Sequence, residues 1–206
     1  LTVTAGGPFT FTATALDGQG SVIAGAPIVF TTLDPSRATL GSPAAGSGTA
    51  TTLRGIARIR SQLATGAAED TSVLVVLPRP SALAIVSGGG QSAGANAPLP
   101  QPVSVRLTAT DGQPLAGAAV TLAVTSGGGS VVPTGTVTDG QGLIGFAWTL
   151  GATAGSQTAT VSSAGVPNLV VNATAVVLSA TQLVITQEVG STYQAGDSIP
   201  ALLVEA

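Results

Sequence analysis

The sequence contains no cysteine, histidine, lysine or methionine, and only 7% of its residues are charged. Without cysteine there is no disulfide framework and no thiol chemistry, and the redox compartment stays open. Without histidine, cysteine or lysine, the routes to catalysis narrow to paired carboxylates or an unaided hydroxyl. A glycosidase-type pair needs two acids about 5–9 Å apart in a cleft, whereas the nine acids here stand mostly at turns or near the ends. The residues point away from an enzyme, and no catalytic, cofactor-binding or metal-ligating residue is assigned. All six basic residues are arginines, and the isoelectric point is near 4.5. Phosphate backbones need clustered basic charge, so nucleic acid is not an expected partner.

Long apolar runs are also scarce, although the mean hydropathy is +0.53. The most apolar stretch, Leu169 to Ile185, is interrupted by Asn172, Thr174, Ser179, Thr181 and Gln182. A membrane-spanning helix needs about 20 predominantly apolar residues. An outer-membrane barrel needs aromatic girdles, and the chain holds one Trp, one Tyr and four Phe. Neither form of membrane insertion is expected of this segment, and no signal peptide is recognised.

What the sequence does have is a long internal repeat. Thr12-Ala-Thr-Ala-Leu-Asp17-Gly-Gln and Ala24-Gly-Ala-Pro-Ile-Val-Phe30 return as Leu107-Thr-Ala-Thr-Asp111-Gly-Gln and Ala116-Gly-Ala-Ala-Val-Thr-Leu122. Ala82-Leu-Ala-Ile-Val86 is echoed one hundred positions later by Gln182-Leu-Val-Ile-Thr186, and Ala93-Gly94 with Pro100 by Ala195-Gly196 with Pro200. A period of this length exceeds that of solenoid repeats and matches one β-sandwich per repeat.

Period-two alternation marks the strands. Phe9, Phe11, Ala13 and Ala15 alternate with threonines, predicting a half-buried strand over Pro8 to Ala15. Further strands are predicted at Ile28–Leu33, Ala50–Leu53, Ile56–Leu63 and Ser72–Leu77, with Leu1–Thr4 as the tail of another and Gly41 to Gly48 as a loop. In the second repeat they fall at Ala82–Ser87, Val103–Ala109, Ala119–Thr125, Ser130–Val132, Gly135–Thr138, Leu143–Leu150, Gln157–Ser163 and Leu169–Val176. Pro98, Pro100 and Pro102 suit an edge segment, where a missing N–H costs nothing. No stretch of 11 or more residues keeps helical spacing, so no helix is expected. Pro78-Arg79-Pro80 reads as a semi-rigid connector, and Leu178 to Thr181 as a second boundary. Strands at Leu183–Thr186 and Ala201–Glu205 would open a third unit. Two strands are marginal alone in water, so the chain is expected to be a window on a longer polypeptide, with strand donation by a neighbouring chain as the rarer alternative.

Asp34-Pro-Ser-Arg-Ala-Thr-Leu40, Gly48-Thr-Ala-Thr51 and Gly55-Ile-Ala-Arg-Ile59 resemble the group 2 bacterial immunoglobulin-like domain, with a longer loop at Gly41 to Ser47 than that family usually carries. Ser126-Gly-Gly-Gly-Ser-Val131, Thr138-Asp-Gly-Gln-Gly142, Phe146-Ala-Trp-Thr-Leu-Gly151 and Gly155-Ser-Gln-Thr158 resemble the invasin and intimin type. The resemblance implies an all-β chain of tandem immunoglobulin-like sandwiches set end to end: residues 1–79, 80–178, and a truncated start at 179–206. It further implies an extended extracellular rod whose partners are its own neighbouring modules, with self-assembly into surface filaments as a further prospect.

The remaining candidates have simple readings. Asp17-Gly, Asp111-Gly and Asp139-Gly fit turn chemistry better than calcium, which takes several carboxylates at once. Glu69-Asp70 lies on an expected loop. Arg54, Arg58 and Arg60 are the only basic cluster, and the alternation of the last two with Ala57 and Ile59 puts them on a solvated strand face. Trp148, in step with Phe146 and Leu150, reads as core rather than a sugar platform. Tyr193 falls on an expected loop that could expose its ring. Asn172-Ala-Thr174 matches a glycosylation acceptor only formally, inside a strand. The expected function is a structural spacer in a bacterial cell-surface or filament-forming protein. The alternatives are a glycan- or protein-binding module, or a phage virion fibre or decoration module.

Overall fold

A computed structural model describes residues 1–66 and 68–177. The strands expected at Leu183–Thr186 and Ala201–Glu205, the boundary from Leu178 and the loop bearing Tyr193 lie outside the described residues. The described chain is all-β apart from one 3-10 turn at Pro43–Ala45.

The first seven strands are β1 (Thr2–Thr4), β2 (Pro8–Thr10), β3 (Ile28–Thr32), β4 (Ala38–Ser42), β5 (Ser47–Ala50), β6 (Gly55–Leu63) and β7 (Glu69–Leu77). They form two sheets, ordered β1-β7-β6-β3 and β2-β5-β4. The inner faces enclose Phe9, Phe30, Ile59, Leu74 and Val76 together with four alanines. The next eight are β8 (Pro80–Ser87), β9 (Ser92–Gly94), β10 (Val103–Ala109), β11 (Thr121–Ser126), β12 (Gly129–Pro133), β13 (Leu143–Leu150), β14 (Gly155–Ser162) and β15 (Leu169–Val176). Their sheets are ordered β12-β13-β10-β8 and β11-β14-β15-β9. No sheet mixes strands of the two groups, and the two buried clusters share no residue.

Alternation decides what is buried. In β10, Val103, Val105, Leu107 and Ala109 point inward, and in β13 Ile144, Phe146, Trp148 and Leu150 do the same. Each large side chain removed from water contributes about 1.5–3 kcal/mol, and this larger cluster anchors the second sandwich. One buried polar group has a defined task. The Gln157 amide accepts from Gly151 N–H at 2.9 Å and donates to the carbonyls of Gly151 and Thr153, closing the turn after β13. Gly127 passes over that amide at φ +87°, where a Cβ would sit 2.3 Å from the Gln157 side chain.

Several expectations are corrected. The alternation over Pro8 to Ala15 yields strand only as far as Thr10: Phe11 N–H donates to Gly46 O and Ala15 O accepts from Ile23 N–H, but Thr12 to Thr14 make no backbone hydrogen bond among the described residues. The segment Gly41 to Gly48, expected as a loop, holds the end of β4, the 3-10 turn and the start of β5, while Thr51 to Leu53 leave the strand. Gly48 is glycine for packing, since a Cβ there would meet Thr39 O and the Phe9 ring. Gly135 to Thr138 is not a strand and makes a single bridge, Ala119 to Val137. The three-residue strand β9 was not expected; it pairs in parallel with β15, as β1 does with β7. Pro98 bridges to Thr149, and Leu99 N–H donates to Trp148 O, so the proline segment runs along β13.

The connector is shorter than expected. β7 ends at Leu77 and Pro80 already pairs with Ala109, which leaves Pro78 and Arg79 between the sandwiches. β8 leads away from the connector and β10 runs antiparallel back towards it. The turn after β10 therefore lies against the first sandwich, where Thr110 N–H donates to Arg79 O at 2.9 Å.

Candidate functional site at the junction

Two loops meet beside the connector. From the first sandwich comes Thr51–Arg54, which links β5 to β6; from the second comes Thr110–Pro114, which follows β10. The first loop is held by its neighbours: Thr51 Oγ1 donates to Ser36 O at 2.6 Å, and Arg37 Nε donates to Arg54 O at 3.2 Å. Gly55 follows at φ +126°, and a Cβ there would sit 2.8 Å from Arg37 Nε, so the β6 start needs glycine. This geometry turns the Arg54 side chain out of the sandwich.

The Arg54 guanidinium meets Asp111 in a two-pronged pair. Nε donates to Oδ2 and Nη2 to Oδ1 at 2.7 Å. Nη1 also reaches Pro114 O at 3.2 Å, and Nη2 reaches Gln113 O at 3.4 Å. Thr110 Oγ1 adds a bond to Thr52 O at 3.3 Å. The Asp111 side chain is 4% exposed and that of Arg54 32%. Bidentate pairs of this kind are directional and among the stronger hydrogen bonds. The Arg54 guanidinium holds the Asp111 carboxyl down to about 2, helped by the Gln113 N–H, against an opposing push from burial. Arg54 is shifted upward by the same partner.

Asp111 thus does something that its two relatives in sequence do not. Asp17 accepts from the N–H groups of Gln19 and Ser21, and Asp139 from those of Gln141 and Leu143, so each carboxylate is consumed by its own turn. Asp111 takes one local bond, from Gln113 N–H at 3.1 Å, and offers both oxygens across the junction. Turn chemistry accounts for its Gln113 bond and not for its pair with Arg54. Arg54, grouped by sequence with Arg58 and Arg60, is separate from them in space. Arg58 pairs with Asp34 on the exposed face, where that bond also lowers the Asp34 carboxyl, and Arg60 lies 3.6 Å from Glu69. Glu69 and Asp70 begin β7 rather than lie on a loop. No signal in the single sequence links Arg54 to an acid 57 positions away.

The other candidates are placed plainly. Trp148 is 1% exposed and its indole is packed in the larger core, so it offers no platform to a sugar. Asn172 and Thr174 point outward from β15. Among the described residues, no three acids gather in a group able to hold a metal ion.

No protein-family model matches this chain, and no curated protein matches its sequence. Solved structures do. FdeC, an Escherichia coli adhesin, matches with a TM-score of 0.60 at 22% identity, over 84% of this chain and 61% of that one. Domains 4 and 5 of the S-layer protein SbsC match with a TM-score of 0.43 at 19% identity, over 81% of each chain. Invasin, a bacterial integrin-binding protein, matches with a TM-score of 0.39 at 24% identity, over 79% of this chain and 34% of that one. This chain therefore spans less than two thirds of the FdeC structure and about a third of the invasin structure. The FdeC likeness, with the paired sheets of each unit, shows the fold: immunoglobulin-like β-sandwiches in tandem.

Proposed function

We propose that this chain is a structural spacer, a stiff segment of a larger bacterial cell-surface or filament-forming protein, without catalytic activity. The observation that carries the reading is the junction. Two sandwiches separated by Pro78 and Arg79 are also clamped by Arg54 on Asp111, so the joint resists bending in more than one place. Pro78 and Pro80 fix φ near about −65°, and Pro80 restricts Arg79 as well. A display stalk needs that stiffness, whereas a ligand-binding module does not.

Residues 1–79 form a module of group 2 type, residues 80–178 one of invasin and intimin type, and residues 179–206 begin a third. Its partners are neighbouring modules of the same chain, and it acts outside the cell. The likeness to an adhesin supports an extracellular setting. Brief protease treatment of intact source cells tests that setting. Peptides of this chain released without lysis support it, and their recovery only after lysis contradicts it.

A further inference from the structure

Arg37, on the first sandwich's side of the junction, pairs with no acid among the described residues. Its backbone is fixed on both sides: its N–H donates to Asp34 O at 3.0 Å, and its C=O accepts from Thr51 N–H at 2.8 Å. Its side chain lies over Gly55, where a Cβ would come within 3.6 Å of Nε, Cδ and Cζ alike. With Nε donating to Arg54 O, the guanidinium is held by one bond and one flat stretch of backbone, while Nη1 and Nη2 have no acceptor among the described residues.

Arg37 lines a cleft of about 470 Å³ between the sandwiches, a size that suits a small ligand. Leu53 and Pro114 give it apolar surface, and Gln113 and Gly140 bring polar groups from the second sandwich. Gln113 spends its backbone N–H on Asp111 and its C=O on Ala109 and Arg54. Its side-chain amide is exposed and has no partner among the described residues, and neither has the Gly140 N–H. Arg37, Arg54 and Asp111 set two guanidinium groups against one carboxylate, so the lining is net positive in a chain of net charge −3. Neighbouring acids are committed elsewhere: Asp34 gives both oxygens to Arg58, and Asp139 accepts from its own turn.

We propose that this cleft binds a hexuronic acid residue of a glycan, with the sugar carboxylate on the Nη edge of Arg37. That edge presents two parallel N–H groups, which match the two oxygens of a carboxylate. A carboxylate alone fills a small part of the cleft, and the rest of the lining selects what is attached to it. The Gln113 amide both donates and accepts and the Gly140 N–H donates, a set that suits ring hydroxyls rather than a second charge. Leu53 and Pro114 meet the C–H surface of the ring. A simple alkyl acid or an acidic side chain would leave the amide and the N–H without partners. The site draws on both sandwiches, so it exists where the junction is formed. It does not rest on the spacer reading, which concerns the stiffness of the pair rather than what the joint holds.

Magnetic resonance titration of the full chain with methyl β-D-glucuronoside tests this. The expected result is a saturable shift of the Gly55, Gln113 and Gly140 amides, with an affinity in the millimolar range. Methyl β-D-glucoside keeps the ring without the carboxylate, and acetate keeps the carboxylate without the ring. Each should bind about tenfold more weakly or worse, the loss expected when a charge-assisted contact or the ring contacts are missing. Arg37→Gln should weaken glucuronoside binding by about tenfold or more, and Gln113→Ala, at an exposed position, by several-fold. Unmoved β10 and β13 resonances in both variants show that the sandwiches stay folded. Shifts that never saturate, or binding that neither variant weakens, overturn the proposal. So does acetate binding as tightly as the glucuronoside, which makes the cleft a general anion site, or equal binding of the glucoside, which removes Arg37 from recognition.

Discussion

Arg54→Ala removes the clamp and leaves both sandwiches folded. The size of the effect follows from Asp111. Its carboxyl falls from 3.8 to about 2, chiefly through the Arg54 hydrogen bond, with help from the Gln113 N–H and against burial, a net shift of about 2 kcal/mol. Arg54 stays about one-third exposed, and solvent screening trims the figure to about 1–2 kcal/mol. Asp111→Asn is the sharper variant, since the amide oxygen can still take the Gln113 N–H and keep the turn. Because the chain has no cysteine, two can be introduced for spin labels at exposed Gln19 and Ala152, near opposite ends of the pair. Pulsed electron resonance should give one narrow distance distribution in the parent and a broad one in either variant. Acid acts through the same group. A depressed carboxyl contributes stability that is complete above its unfolded value, near 3.8, and is lost as pH falls through about 2. The distribution should hold from pH 7 to about pH 4.5 and broaden below about pH 3. A distribution that neither substitution changes would refute the clamp.

Three other outcomes are expected. Trp148→Ala should destabilise the second sandwich by roughly 3–5 kcal/mol, because a fully buried indole leaves a large cavity; chemical denaturation measures it. Gly127→Ala should cost about 2 kcal/mol or more, from positive φ and collision with the Gln157 amide, and a thermal midpoint unchanged by it would contradict the close packing. Residues 80–177 should fold alone, since the larger buried cluster draws only on Leu99 to Ala175 and its partly buried neighbours. Their circular dichroism should be β with no helix.

How legible the molecule was depended on the range of the contacts. β10, β13 and β15 match the sequence expectation residue for residue, because long alternation between core and solvent leaves little choice of register. Phe11 to Ala15 alternate just as clearly and still form no strand. Alternation states which face would be buried, but a strand also needs a neighbour. β9 escapes the sequence for the converse reason, being three residues long and held by parallel pairing to the distant β15. At Gly41 to Gly48 glycine-rich composition suggested a loop, while Gly48 is there because Phe9 crosses above it. The junction was the least legible part. Its turn was visible in Asp111-Gly112, but the identity of Arg54 as partner follows only from how the sandwiches meet.

The central claim is that the two sandwiches form a stiff rod, and small-angle scattering of the full chain, extrapolated to infinite dilution, tests it most directly. A sandwich of this size is about 40 Å long, from strands of six to eight residues plus loops at each end. Two in line give a maximum dimension of at least about 80 Å, with a profile that stays the same in moderate salt, whereas a folded-back pair gives roughly 50 Å. A compact envelope would contradict the account, because a segment that doubles back on itself projects nothing.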